Sequence, residues 1–173
     1  LNQSDIHSIR QNDPKFSVQL LEDRASVVFW RLINARRNGS PQILEKVATP
    51  PIAHILSKLP AIYDIGVGSV EITHLDNVDN YQIAKVSIMW SFKPSPADES
   101  ISKTSELILY RCRTGKSDTD LEYGSFHCSG CGAAIEDQSG ESCSYCSTTL
   151  RDEKNHWLLL DFDSTTNMQR PPT

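Results

Sequence analysis

The sequence predicts an α+β domain, with helices packed on one face of a curved antiparallel sheet and a cysteine-rich insertion between two strands. Three observations predict it. Apolar residues recur at three- and four-residue steps over residues 14–59. After Pro60 the apolar period changes to two. Four of the five cysteines then fall within residues 128–146, just ahead of a last apolar strand. Helices followed by a run of strands, without alternation, favour a meander covered by helices over a parallel sheet.

Residues 1–12 are polar and lack a clear period, so they read as a tail or a frayed helix. The segment "DPKFSVQLLEDRASVVFWRLINARRNG" reads as a long helix. Asp13 suits an N-cap and Pro14 a first helical position that needs no amide partner. Gly39 suits a left-handed stop. Val18, Leu21, Ala25, Val28, Leu32 and Ala35 form one apolar stripe, and Phe16, Leu20 and Val27 a narrower second one. "SPQILEKVA" repeats the grammar with Ser40 as cap and Ile43, Leu44 and Val47 buried. "TPPIAHILSKL" does so again, with Thr49 as cap and Ile52, Ile55, Leu56 and Leu59 inside.

"GSVEITHL" alternates as a strand, with Val70 and Ile72 on one side. Residues 76–80, "DNVDN", form a turn cluster. "QIAKVSIMWSFK" is the clearest strand. Ala84, Val86, Ile88, Trp90 and Phe92 share one face, with Lys85, Ser87, Ser91 and Lys93 opposite, as expected of a sheet covered on one side. "SELILYRCR" (105–113) and "NHWLLLDFD" (155–163) complete the strands, and residues 164–173 read as a disordered tail. The cysteines therefore sit where a hairpin turn would otherwise be.

Their pattern is Cys128-x2-Cys131-x11-Cys143-x2-Cys146. A Cys-x-x-Cys turn puts two sulfurs on one side of a tight loop, and two such turns supply the four soft ligands of tetrahedral zinc. Gly130 and Gly132 fit the positive φ such a turn often needs, and the second turn is less ideal, with Ser147 where the first has Gly132. The pattern predicts one structural zinc ion in a ribbon spanning residues 126–150. The rivals are two disulfides or a redox dithiol. A redox pair opens a helix in a βαβ unit, and neither pair here does. A catalytic zinc keeps one position open, whereas four cysteines close the shell. His127 then lies beside the site or faces solvent.

The formal net charge is −5. Residues 1–60 carry eight basic and five acidic residues, so the acidity lies in the remainder. An acidic chain whose ribbon loop has no Lys or Arg is a poor match for nucleic acid. No apolar run reaches the roughly 18 residues of a membrane helix. Phosphate-binding loops, dinucleotide fingerprints and nucleophile elbows are absent. Four polar residues could enter a pocket enclosed by a curved sheet: His54 on the third helix, His74 beside Val70 and Ile72, Glu106 beside Ile108, and Tyr110. An acid with a Tyr or His in an apolar pocket could abstract a proton, as in an isomerase or dehydratase, or hold a small ligand. The simpler reading places the ionisable ones in water and Tyr110 in the core.

"DPKFSVQLLEDRASVVFWRLINARRNGS", "AKVSIMWSFKPS", "SELILYRCR" and "HWLLLDF" together resemble the Tim-forty-four-like domain family. That family takes in the C-terminal domain of a peripheral subunit of the mitochondrial inner-membrane import translocase, and has bacterial relatives. Some relatives are similar in carrying a four-cysteine ribbon before a Trp, here Cys128, Cys131, Cys143, Cys146 and Trp157. The resemblance covers residues 13–163. It implies a cone-shaped fold like nuclear transport factor two, no enzyme activity, and a scaffold or adaptor role near a membrane or in protein transport. It further implies a protein partner or anionic membrane surface, met in this chain by Arg31, Arg36 and Arg37. The expected place is the cytoplasmic side of a bacterial membrane, through an anchor outside this chain, or otherwise the cytoplasm.

Overall fold

The computed structural model describes residues 1–117, 128, 131–134, 142–147 and 155–163. The tail expected at 164–173, His127 and much of the ribbon span 126–150 lie outside the described residues.

Residues 1–12, expected as a tail or frayed helix, form helix α1 (Gln3–Asn12). Asn2 caps it, its side chain accepting from the Ser4 amide at 3.1 Å. Ile6 and Ile9, three residues apart, put two side chains on one face and both are buried. Two isoleucines are too few to show a period, but enough to dock a short helix.

Helix α2 (Val18–Asn38) begins later than its sequence suggested. Asp13 does not cap it. Ser17 does, its hydroxyl accepting from the Leu20 amide at 3.4 Å. Asp13 instead ends α1, its amide donating to the Ile9 carbonyl. Gly39 stops α2 in the left-handed conformation, φ 61°, as expected. "SPQILEKVA" makes only a 3-10 turn (Pro41–Ile43), although Leu44 and Val47 are buried as expected. The cause is tertiary. The Leu159 amide donates to the Val47 carbonyl at 2.7 Å and the Thr49 amide to the Leu159 carbonyl at 3.1 Å, so this stretch runs extended. Helix α3 (Pro50–Ser57) follows, burying Ile52 and Leu56 but leaving Ile55 exposed.

The strands are β1 (Tyr63–Val78), β2 (Tyr81–Lys93), β3 (Ile101–Cys112) and β4 (Leu158–Phe162). They form one antiparallel sheet in the order β1-β2-β3-β4. The expected turn at 76–80 shrinks to Asp79 and Asn80, since Val78 already pairs with Tyr81. Asp79 adopts φ 53° there, which aspartate tolerates.

The helices cover one face. Ala84, Val86, Ile88 and Trp90 of β2 join Leu107 and Leu109 of β3 in the core with Val28, Phe29 and Leu32 of α2. Phe29 meets Trp90 edge-on at 5.2 Å. The second face is not wholly polar, contrary to expectation. Ile83, Ile108, Tyr110, Leu158 and Leu160 form a separate buried cluster, with Tyr81 against it.

Three register shifts interrupt the β1–β2 pairing. One lies between Ile72 and His74 and reverses which residues face inward. Before it Ile72 opposes Val86 on the core face; after it Leu75 opposes Ala84 there, and His74 opposes Lys85 on the other side.

Candidate metal centre

Because β3 and β4 are neighbours, the intervening chain leaves and returns at one end of a hairpin. That end is tied shut. The Lys116 amide donates to Asn155 Oδ1 at 3.1 Å. Ser117, the last described residue on the outgoing side, donates to Asp13 Oδ2 through its amide at 3.0 Å and its hydroxyl at 2.5 Å. Arg111 donates to the same carboxylate oxygen at 2.8 Å and through Nε to Gln82 Oε1 at 2.7 Å. Trp157, the first apolar residue on the return side, lies under the Arg111 guanidinium at 4.7 Å, and its carbonyl accepts from Arg24 Nε at 3.0 Å.

The side chains of Asp13 and Arg111 are 2% and 0% exposed, so this ion pair is buried. Burial pushes the Asp13 carboxyl up, but the Ser117 hydroxyl, the Arg111 guanidinium and the Ser117 amide outweigh it and hold the group below the usual carboxylate range. No local rule pairs residues 98 apart. The signal in the sequence is Arg111 itself: a charge at a core-parity position, two beyond Leu109 and four beyond Leu107.

Beyond this neck lie the four cysteines. Cys128, Cys131, Cys143 and Cys146 bring their sulfurs within 4.8 Å of one another. The Cys128 and Cys146 sulfurs are 3.4 Å apart and those of Cys131 and Cys143 3.8 Å. Four sulfurs held about 2.3 Å from a tetrahedral ion lie about 3.8 Å from each other. The cluster therefore fits a metal ion. None of the five cysteines is in a disulfide.

Each pair sits on a turn of the same build. The Gly132 amide donates to the Cys128 carbonyl and the Ser147 amide to the Cys143 carbonyl, both at 2.8 Å. Gly132 has φ 74° and Ser147 φ 61°, so the serine takes the conformation the glycine takes freely. The Tyr145 amide points at the Cys143 sulfur from 3.4 Å. Backbone amides of Tyr145 and Cys146 lower the Cys143 thiol. At Cys131 the Ala133 amide also lowers the thiol, but the crowded sulfurs of Cys146, Cys143 and Cys128, with some burial, push it up to about 12. Four thiols this close ionise together only when a cation shares their charge. Cys128 and Cys143 are buried while Cys131 and Cys146 are exposed.

The other residues singled out in the sequence do not gather. His54 and Glu106 are exposed. His74 is exposed as well, carried off the core face by the bulge, and lies 3.9 Å from Asp76. Tyr110 is buried, but in the second-face cluster. A shallow cavity of about 140 Å³ on that second face is lined by His74, Asp76, Val78, Ile83, Lys85 and Ile108, so it takes in one of the four. Of the three arginines, Arg31 is buried. Desolvation, aided by the charge of Arg24, pushes its guanidinium down to about 10. Arg36 donates twice to the Pro60 carbonyl, at 3.1 and 2.9 Å, tying α2 to the chain after α3. Only Arg37 is exposed. Their five-residue and one-residue spacings gave no hint that the helix turns Arg31 inward.

Compared with known proteins, the chain matches no family model, no curated protein and no solved structure.

Proposed function

We propose that Cys128, Cys131, Cys143 and Cys146 hold one structural zinc ion, and that the chain is a non-catalytic scaffold or adaptor domain. The observation that carries this is the all-sulfur cluster, within 4.8 Å and on two matching turns. Thiolate-only sites favour zinc among common divalent ions, and four protein ligands leave no position for substrate. Zinc would hold together a ribbon too small for its own apolar core.

In this reading the body is a cone-shaped fold like nuclear transport factor two, of the Tim-forty-four-like kind. Helices on one face of a bulged four-stranded meander, and a cysteine insertion just ahead of Trp157, support it. The role is then to recruit a protein partner beside a membrane. A protein partner is favoured over direct lipid contact, because Arg31 and Arg36 are used inside the fold and only Arg37 faces outward.

Metal analysis of the chain purified with its thiols kept reduced tests the site: one zinc per chain is expected, and none overturns it. Flotation with vesicles containing anionic lipid tests the surface. Weak binding, unchanged by Arg37→Glu, is expected; strong binding lost on that substitution would reinstate the lipid reading.

A further inference from the structure

We propose that the metal centre is redox-releasable. A hydroperoxide converts the four cysteines into two disulfides that cross between the turns, Cys128–Cys146 and Cys131–Cys143, and expels the metal while helices and sheet stay folded. This rests on the zinc reading above.

Each crossed pair joins an exposed sulfur to a buried one. Cys146 and Cys131 are exposed, whereas Cys128 and Cys143 are only 1% and 3% exposed. An exposed sulfur can meet the oxidant, and a neighbour sheltered from it can resolve the product. The partners are 3.4 and 3.8 Å apart, so reaching a disulfide length of about 2.05 Å needs closure of roughly 1.3–1.8 Å. Within each turn, the bonds from Gly132 to Cys128 and from Ser147 to Cys143 fix the backbone at the spacing that aims both sulfurs at a common centre. Crossing links tie two such turns together and leave each intact.

The steps balance. The exposed thiolate attacks a peroxide oxygen and the O–O bond breaks, giving a sulfenic acid and hydroxide. The buried thiolate attacks the sulfenyl sulfur; the S–S bond forms, the S–O bond breaks, and a second hydroxide leaves. Each pair loses two electrons to one hydrogen peroxide, and two protons turn the hydroxides into water. Two peroxides neutralise all four thiolates, which removes the charge that held the ion.

The body is independent of this chemistry because the neck closes below it. The β3–β4 ladder, the Lys116–Asn155 bond and the Asp13–Ser117–Arg111–Trp157 cluster involve none of the four cysteines.

The test treats the zinc-loaded chain with excess hydrogen peroxide. Expected are release of the bound zinc to a chromogenic chelator, a fall from five titratable thiols to one (Cys112), and an unchanged circular dichroism spectrum of the sheet. Cleavage after Glu136 and Glu141 separates Cys128 and Cys131 from Cys143 and Cys146. Crossed disulfides keep these peptides joined, and fragmentation of the joined species assigns the two pairs. Dithiothreitol with added zinc restores five thiols and the metal. Zinc retained under peroxide, unjoined peptides, the opposite crossing or collapse of the sheet signal each overturn the proposal alone. A chain that takes up no zinc before peroxide is added overturns this and the zinc reading together.

Discussion

Replacing Asp13 with alanine should unfold this protein more readily than its position in a polar linker suggests. The carboxylate oxygen Oδ2 accepts from Arg111, the Ser117 amide and the Ser117 hydroxyl. Its removal takes the Asp13 charge away from a guanidinium that is 0% exposed. Breaking a buried pair from one side costs about 3–5 kcal/mol. At about 2–4 °C per kcal/mol for a chain this size, the melting temperature should fall by about 6–20 °C. The α1 backbone bond from Asp13 to Ile9 survives the substitution, so the loss reports the side chain. Urea unfolding followed by tryptophan fluorescence is a suitable assay, since Trp157 lies against Arg111 and is 1% exposed. The double variant Asp13→Leu/Arg111→Met should recover much of the loss, because an apolar pair of similar volume has no charge to desolvate. A cost below about 1 kcal/mol for Asp13→Ala, outside the range for a buried pair, would show that water reaches the cluster and that the neck is not what closes the hairpin.

The same carboxylate makes stability depend on pH. Its folded-state pKa lies below the unfolded value near 3.9, so its contribution is full above that value and is lost as pH falls through the folded pKa; Asp13→Asn should flatten this acid limb in pH-resolved thermal melts. Gly39→Ala should cost about 1 kcal/mol in chemical denaturation, from φ 61° alone, since nothing lies within 4 Å of the added Cβ. Ser147→Gly should tighten zinc binding by about fivefold in chelator competition, because φ 61° strains serine by about 1 kcal/mol; unchanged affinity would mean the turn carries no strain. Chelation of zinc should leave most of the sheet signal intact, and its loss would show that the metal holds the body as well as the insertion.

Much of the architecture was legible because it is written at short range. The strand "QIAKVSIMWSFK" alternates residue by residue, and its inward set is the set that the helices bury. Gly39 ends its helix because the left-handed conformation is a property of that one residue. Where the reading failed, a distant partner intervened. Val47 and Ala48 abandon helix because Leu159 offers backbone bonds on either side of Ala48. His74 leaves the core face because one extra residue in β1 inverts the alternation after Ile72.

The spacing of the cysteines alone pointed to one cluster of four sulfurs, since two short turns fix where each pair can go. The sequence also determined the class of fold, since period and order of elements suffice for that. Only the tertiary structure decided what the charges do. Asp13 reads as a helix cap, and Arg31 as part of a basic surface. Their roles follow from burial: Asp13 meets an arginine 98 residues away, while Arg31 is turned into the fold. Burial makes a charge cost several kcal/mol unless a partner arrives, and no rule of local spacing records which partner will.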